Sequence, residues 1–260
     1  MKGAILIAAL VLMSSLAADA DAMPRSTIPP GDFADFAFRQ NLGAALPLDT
    51  ELRRADGRTV ALRSVFGNKP VLFDFEYDRC TTLCGLMLDR LTAALRELPL
   101  QSGRDYRIVA IDIDPDATSQ QAVAFFREHG ADPSGMTVMT GEEAGIRRIA
   151  DAAGFPYRRD VATGQFAHPA GFVVATPDGR VSRYLLGLSW RPLDLRLALI
   201  EAAHRAVAVT PTEQVLLFCY CYDPQTGRYD LAIAKLLQVI GATTLLGLGG
   251  LVWLAVRKVG

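Results

Sequence analysis

Val71-Leu72-Phe73-Asp74-Phe75-Glu76-Tyr77 is a short run, aromatic and β-branched at its start, that predicts a largely buried β-strand. It leads through Asp78 and Arg79 to Cys80, and a second cysteine, Cys84, follows after three residues. From Leu83 to Leu98 the apolar positions Leu83, Leu86, Met87, Leu91, Ala94, Leu95 and Leu98 recur at helical spacing, and Pro99 stands where a helix should stop. The cysteines thus occupy a strand-to-helix junction, where free backbone N–H groups and the helix dipole favour thiolate over thiol. Stacked four apart on a helix, or with Cys80 folded back from the loop, the pair can share a ligand or form a disulfide.

Outward from this junction the pattern repeats. Tyr106 to Ile113 reads as a buried strand, Ser119 to Glu128 as a helix ending near Gly130, Met136 to Met139 as a short strand, and Glu142 to Ala153 as a helix closed by Gly154. Gly171 to Thr176 and Arg180 to Leu186 flank Pro177-Asp178-Gly179, a hairpin signal, and a helix from about Pro192 to Ala206 follows. Parallel βα units ending in an antiparallel hairpin predict an α/β fold, a thioredoxin-like mixed sheet with flanking helices. Upstream, residues 23–69 read as an extended lead-in, with Pro29-Pro30 breaking any early helix and Asp56-Gly57 marking a hairpin.

The two ends read as membrane signals. Lys2, the apolar run Ala4 to Met13 and Ala20-Asp21-Ala22 predict a signal peptide over residues 1–22. Residues 236–256 carry no charge and as a helix would measure ~31 Å, the thickness of a hydrocarbon core. Arg257 and Lys258 follow directly, which places the tail 257–260 in the cytoplasm and the preceding domain outside it. Between the ends, 260 residues of which half are hydrophobic leave room for one domain, and a net charge of −1 provides no basic field for nucleic acid. All four cysteines fall in two close pairs, as expected of an oxidising compartment.

Paired thiolates are soft ligands that select Cu(I), zinc or iron–sulfur clusters, and an added imidazole also suits Cu(II). Of three histidines, His129 and His204 lie near helix C-termini, where the dipole already explains them. His168 lies in a loop just before Pro169 and a hairpin strand, either as a ligand or as an ordinary polar turn residue.

Over roughly residues 45–206 the chain resembles the Sco (SCO1/SenC) family of thioredoxin-like copper proteins, which assist assembly of the copper centre of cytochrome oxidase. The resemblance rests on Phe75-x-Tyr77-x-x-Cys80-x-x-x-Cys84, on Asp112-Ile113-Asp114-Pro115, and on His168 leading into Gly171-Phe172-Val173-Val174 and Pro177-Asp178-Gly179. It implies that Cys80, Cys84 and His168 bind copper, as Cu(I) or Cu(II). It also implies partners among copper chaperones and cuproproteins, the copper-centre subunit of cytochrome c oxidase first. The chain is further similar to a bacterial branch with a membrane helix after the domain, which implies an inner-membrane protein with its domain in the periplasm. The corresponding division is signal peptide 1–22, N-terminal segment 23–44, domain 45–206, juxtamembrane segment 207–235, membrane helix 236–256 and tail. In one respect the chain departs from the family, which carries proline directly after the second cysteine where this chain has Gly85.

The remaining polar clusters read as structural. Asp112, Asp114 and Asp116 fit turn chemistry and surface charge better than a hard-metal site, and Asp78 reads as a solvated loop carboxylate. Phe218-Cys219-Tyr220-Cys221-Tyr222 reads as an interfacial aromatic belt in preference to a second soft-metal site, with Tyr229 suited to the same headgroup region. A copper-binding assembly factor is the leading function. The alternative is a periplasmic thiol-disulfide oxidoreductase in which Cys80 or Cys84 attacks and the other resolves, with no need of a histidine.

Overall fold

Strand β3 (Val71–Glu76) is buried at all six positions and stands near the middle of a seven-stranded sheet. The computed structural model describes residues 35–203 apart from 82 and 130–134, the segment 220–231, and residues 240–250 apart from 242 and 249. The signal peptide, Pro29-Pro30, His204, Cys219 and most of the expected membrane helix lie outside the described residues.

On one side β3 pairs in parallel with β4 (Arg107–Asp112), which pairs in parallel with β5 (Met136–Thr140). On the other it pairs antiparallel with β8 (Gly171–Ala175), which turns through Pro177-Asp178-Gly179 into β9 (Val181–Leu186). The expected antiparallel hairpin is therefore present. A second antiparallel edge was not expected: β1 (Glu51–Arg54) and β2 (Thr59–Ala61) form the Asp56-Gly57 hairpin, and β1 joins β5. The extended lead-in is thereby part of the sheet.

Alternation along β3 divides the interior. Val71, Phe73 and Phe75 enter the core with Phe125 and Phe126 of α2 (Ser119–Glu128) and Ile146 and Ile149 of α3 (Glu143–Ala152). Leu72 enters the other core with Met87 and Leu91 of α1 (Cys84–Arg96) and Leu195, Ala198 and Leu199 of α4 (Pro192–Ala203). Helices therefore cover both faces, and a strand buried on both sides reads as a continuous apolar run. Helix α2 starts at a capping box, in which the Thr118 hydroxyl accepts from the Gln121 N–H and the Gln121 side chain accepts from the Thr118 N–H. By the same period of two, Asp74 and Glu76 fall on the α1 face with Leu72.

The tyrosines assigned to a headgroup belt belong instead to the domain. Strands β10 (Tyr220–Asp223) and β11 (Arg228–Leu231) form a hairpin that docks on α4 and β9. Tyr229 is 1% exposed; its hydroxyl donates to Glu201 at 2.5 Å and its N–H donates to Asp194 at 3.0 Å. The Tyr222 hydroxyl donates to the Tyr184 carbonyl at 2.8 Å and accepts from the Tyr184 N–H at 3.0 Å. Ring and hydroxyl find the apolar body and polar partner that a membrane interface would supply, here within the protein. Further on, residues 240–248 are helical where described, with Leu245, Leu246 and Leu248 exposed. No helix among the described residues is long and apolar enough to cross a membrane.

Truncating Tyr229 removes a fully buried aromatic ring, so Tyr229→Ala should lower the unfolding free energy by about 3–5 kcal/mol. Chemical denaturation measures it; an unchanged midpoint would mean that 220–231 is a free stalk.

Candidate metal centre

The chain leaves β3 in a turn closed by the Cys80 N–H donating to the Tyr77 carbonyl at 3.2 Å. Two side chains at the end of β4 hold this turn: Asp112 accepts from the Asp78 N–H at 3.1 Å, and Asp114 pairs with Arg79. Gln165 holds it from the opposite side, beside the small hairpin of β6 (Arg158–Arg159) and β7 (Phe166–Ala167). Its Oε1 accepts from the Tyr77 hydroxyl at 2.8 Å, and its Nε2 donates to the Arg79 carbonyl at 3.4 Å. Cys84 opens α1, is 2% exposed, and no side chain caps the first turn. The end of the helix dipole is thus left to act on the sulfur. The two cysteines are joined as a disulfide with Cα atoms 6.1 Å apart.

His168 enters from the loop between β7 and β8, and its Nε2 lies 4.0 Å from the Cys84 Sγ. Its Nδ1 is 3.0 Å from the Pro169 carbonyl oxygen, which can only accept, so the Nδ1 proton is fixed there and the Nε2 lone pair faces the sulfur. The ring sits edge-on to Tyr77 at 5.8 Å and beside Phe155 at 5.5 Å. Burial pushes its pKa down, keeping the imidazole neutral as a ligand must be. Gly171 sets the loop's exit: at φ +140° only glycine is at ease, and a Cβ there would collide with the Leu185 carbonyl oxygen. Cys80, Cys84 and His168, the set that the family resemblance implies, thus meet in one place.

A fourth group was not anticipated. A carboxylate oxygen of Glu76, the Cys84 Sγ and a His168 ring nitrogen all lie within 4.8 Å of one another. Glu76 is fully buried, and neither of its carboxyl oxygens has a hydrogen-bond partner; the same holds for Asp74. The signal in the sequence was two carboxyl residues alternating within a run otherwise fit for a core. Burial raises the pKa of Glu76 well above its ordinary value, reinforced by Asp74 and Asp112; burial likewise raises Asp74, and pushes Asp112 up to about 7.

Two expectations need correction. Asp112 and Asp114 are fully buried rather than surface charges, although the turn chemistry holds, with Asp112 accepting from the Asp114 N–H at 2.9 Å and Asp114 from the Asp116 N–H at 3.0 Å. Asp78 is not solvated: its side chain is 5% exposed and burial raises its pKa. Sequence spacing marks the turn but not the helix and hairpin that cover it.

His129 caps α2, as expected, but its ring also lies over the first turn of α1. A Cβ on Gly85 would stand 2.6 Å from the His129 Nδ1, so the residue that departs from the family pattern makes room for this imidazole.

Two measurements follow. Gly85→Ala should show a coupling energy of about 0.5 kcal/mol or more with His129→Ala in a double-mutant stability cycle; additive effects would mean that the ring is not held there. For the buried acids the folded-state pKa lies above the unfolded value near 4, so their contribution to stability is complete below about pH 4. It is lost as pH rises through the folded values, about 7 for Asp112. The metal-free, oxidised protein should therefore melt at a lower temperature at pH 8 than at pH 5. Asp74→Asn should flatten that slope.

Comparisons with known proteins bear on the family and the fold. The SCO1/SenC family model matches residues 43–192. No curated protein sequence matches the chain. Among solved structures, one from Aquifex aeolicus VF5 assigned to electron transfer is 26% identical, with TM-score 0.57, covering 62% of this chain and 94% of that one. BsSco, described with a disulfide switch and as a member of the Sco family of cytochrome c oxidase assembly proteins, is 21% identical, with TM-score 0.53 and coverages of 63% and 96%. Arabidopsis thaliana ScoI, solved with copper bound, is 21% identical, with TM-score 0.51 and coverages of 63% and 99%. These two likenesses bear on the fold, and the family match spans more than half of the sequence: the chain belongs to the SCO1/SenC family.

Proposed function

We propose that the protein is a copper-binding assembly factor for a respiratory cuproprotein, with Cys80, Cys84 and His168 holding the ion that is passed on. One observation carries this reading: the unprotonated Nε2 of His168 faces the Cys84 sulfur at 4.0 Å. With metal–sulfur and metal–nitrogen bonds of about 2.3 and 2.0 Å, ligands of one tetrahedral or trigonal ion lie about 3.5–3.7 Å apart. The pair is therefore within a few tenths of an ångström of ligating distance. A thiol-disulfide oxidoreductase needs no imidazole so placed.

Copper and the disulfide exclude one another at this site. A partner dithiol, itself oxidised to a disulfide, supplies the two electrons and two protons that convert the Cys80–Cys84 bond to two thiols, which lose those protons on taking up the ion. The oxidised form is thus the empty carrier, and the helix dipole at Cys84 favours the thiolate needed for loading. The copper centre of cytochrome c oxidase is the proposed recipient, on the strength of what BsSco is described as assisting. Export to the periplasm and anchoring in the inner membrane through residues 236–256 complete the proposal. The exposed Leu245, Leu246 and Leu248 on a helical stretch support the anchor.

The test is copper titration of the reduced full chain in detergent, against a competing chelator. One equivalent should bind, with affinity lost in Cys80→Ser with Cys84→Ser and reduced about tenfold or more in His168→Ala. Stoichiometric binding indifferent to all three would refute the reading.

A further inference from the structure

Glu76 is the one member of the cluster that the two-cysteine, one-histidine reading leaves unused. Its carboxyl is fully buried, neither oxygen has a hydrogen-bond partner, and one oxygen lies within 4.8 Å of both the Cys84 sulfur and a His168 ring nitrogen. Buried carboxyl groups without partners are rare, and binding an ion is one recognised reason for them.

The neighbouring charges do not supply a partner. Arg79 is engaged by Asp114 and Asp78. The carboxylate opposite Glu76 across the strand pair, Asp112, has both oxygens occupied by backbone N–H groups, of Asp78 and Asp114. Asp74 shares the strand face but is no part of the cluster. Glu76 therefore has free oxygens and points where an ion would sit.

We propose that Glu76 supplies an oxygen ligand to copper beside Cys80, Cys84 and His168, and that it biases the site toward Cu(II). The inference rests on the copper-binding reading given above. Its chemical basis is that Cu(I) is satisfied by soft thiolates and an imidazole, whereas Glu76, releasing its proton to solvent as the ion binds, becomes a carboxylate, a harder donor whose added charge favours the more highly charged ion. Losing Glu76 should leave Cu(I) binding in place and weaken Cu(II) binding selectively. The residue then sets which oxidation state the carrier holds, beyond whether it holds copper at all.

The experiment uses the reduced full chain in detergent, with Cys219→Ser and Cys221→Ser so that only Cys80 and Cys84 supply thiolates. Cu(I) and Cu(II) affinities and the Cu(II) electron paramagnetic resonance spectrum are compared with and without the isosteric change Glu76→Gln. The expected result is Cu(II) affinity lowered about tenfold or more, altered spectral parameters and Cu(I) affinity roughly unchanged. An unaltered Cu(II) spectrum and affinity would overturn the role of Glu76 and leave the Cys80, Cys84 and His168 site standing. No copper binding before the Glu76 change would overturn the site itself. As a measurement independent of folding in the variant, the Glu76-containing protein labelled with ¹³C-glutamate should show a carbon hyperfine coupling to Cu(II); its absence also refutes the ligand.

Discussion

The antiparallel pairing of β8 with β3 is the constraint on which the site depends. Phe73 stands opposite Val173, so the loop before β8 must pass the end of β3, and His168 arrives beside a cysteine 84 residues earlier in the chain. Parallel pairing of β3 with β4 does the same for the acidic turn after β4, through Glu76 opposite Asp112. Three loops remote in sequence meet at one end of the sheet because the strands that carry them are neighbours at its centre. Helix α1 starts from that meeting point with its dipole directed at Cys84.

The setting is electrostatically unusual. Asp74, Glu76 and Asp112 are fully buried on the neighbouring strands β3 and β4, and burial raises the pKa of each, with repulsion from Asp74 and Asp112 adding to it at Glu76. Arg79 answers only the outermost acids, Asp78 and Asp114. Such an arrangement works against the stability of the empty protein at neutral pH, and it is found where the backbone also tolerates a close approach, Gly85 under His129. Local conflicts of this kind gather at functional sites, where the gain is made when a ligand arrives.

The docked hairpin at 220–231 enlarges the domain beyond its central fold. Tyr222 bonds both backbone groups of Tyr184, and Tyr229 joins Glu201, which is itself paired with Arg183. The chain that continues toward residue 240 therefore leaves from a fixed point on the face built by α4 and β9.

The sequence by itself determined the strand–cysteine–helix junction, the four α-helices α1–α4 seen among the described residues and the hairpins at Asp56-Gly57 and Pro177-Asp178-Gly179. Each is local: period, cap and turn chemistry act over a few residues, and Thr118 with Gln121 or the glycine of a turn can be read in place. It also placed Cys80 and Cys84 together, because four residues at a helix start leave little freedom. Only the tertiary structure decided that Glu76 belongs beside them, that Asp78 and Asp112 are buried, that His129 covers Gly85 and that Tyr229 docks in the core. These depend on which faces of distant elements meet. A carboxylate in a sequence carries no mark of whether water or another strand will cover it, since burial is a property of the packed chain.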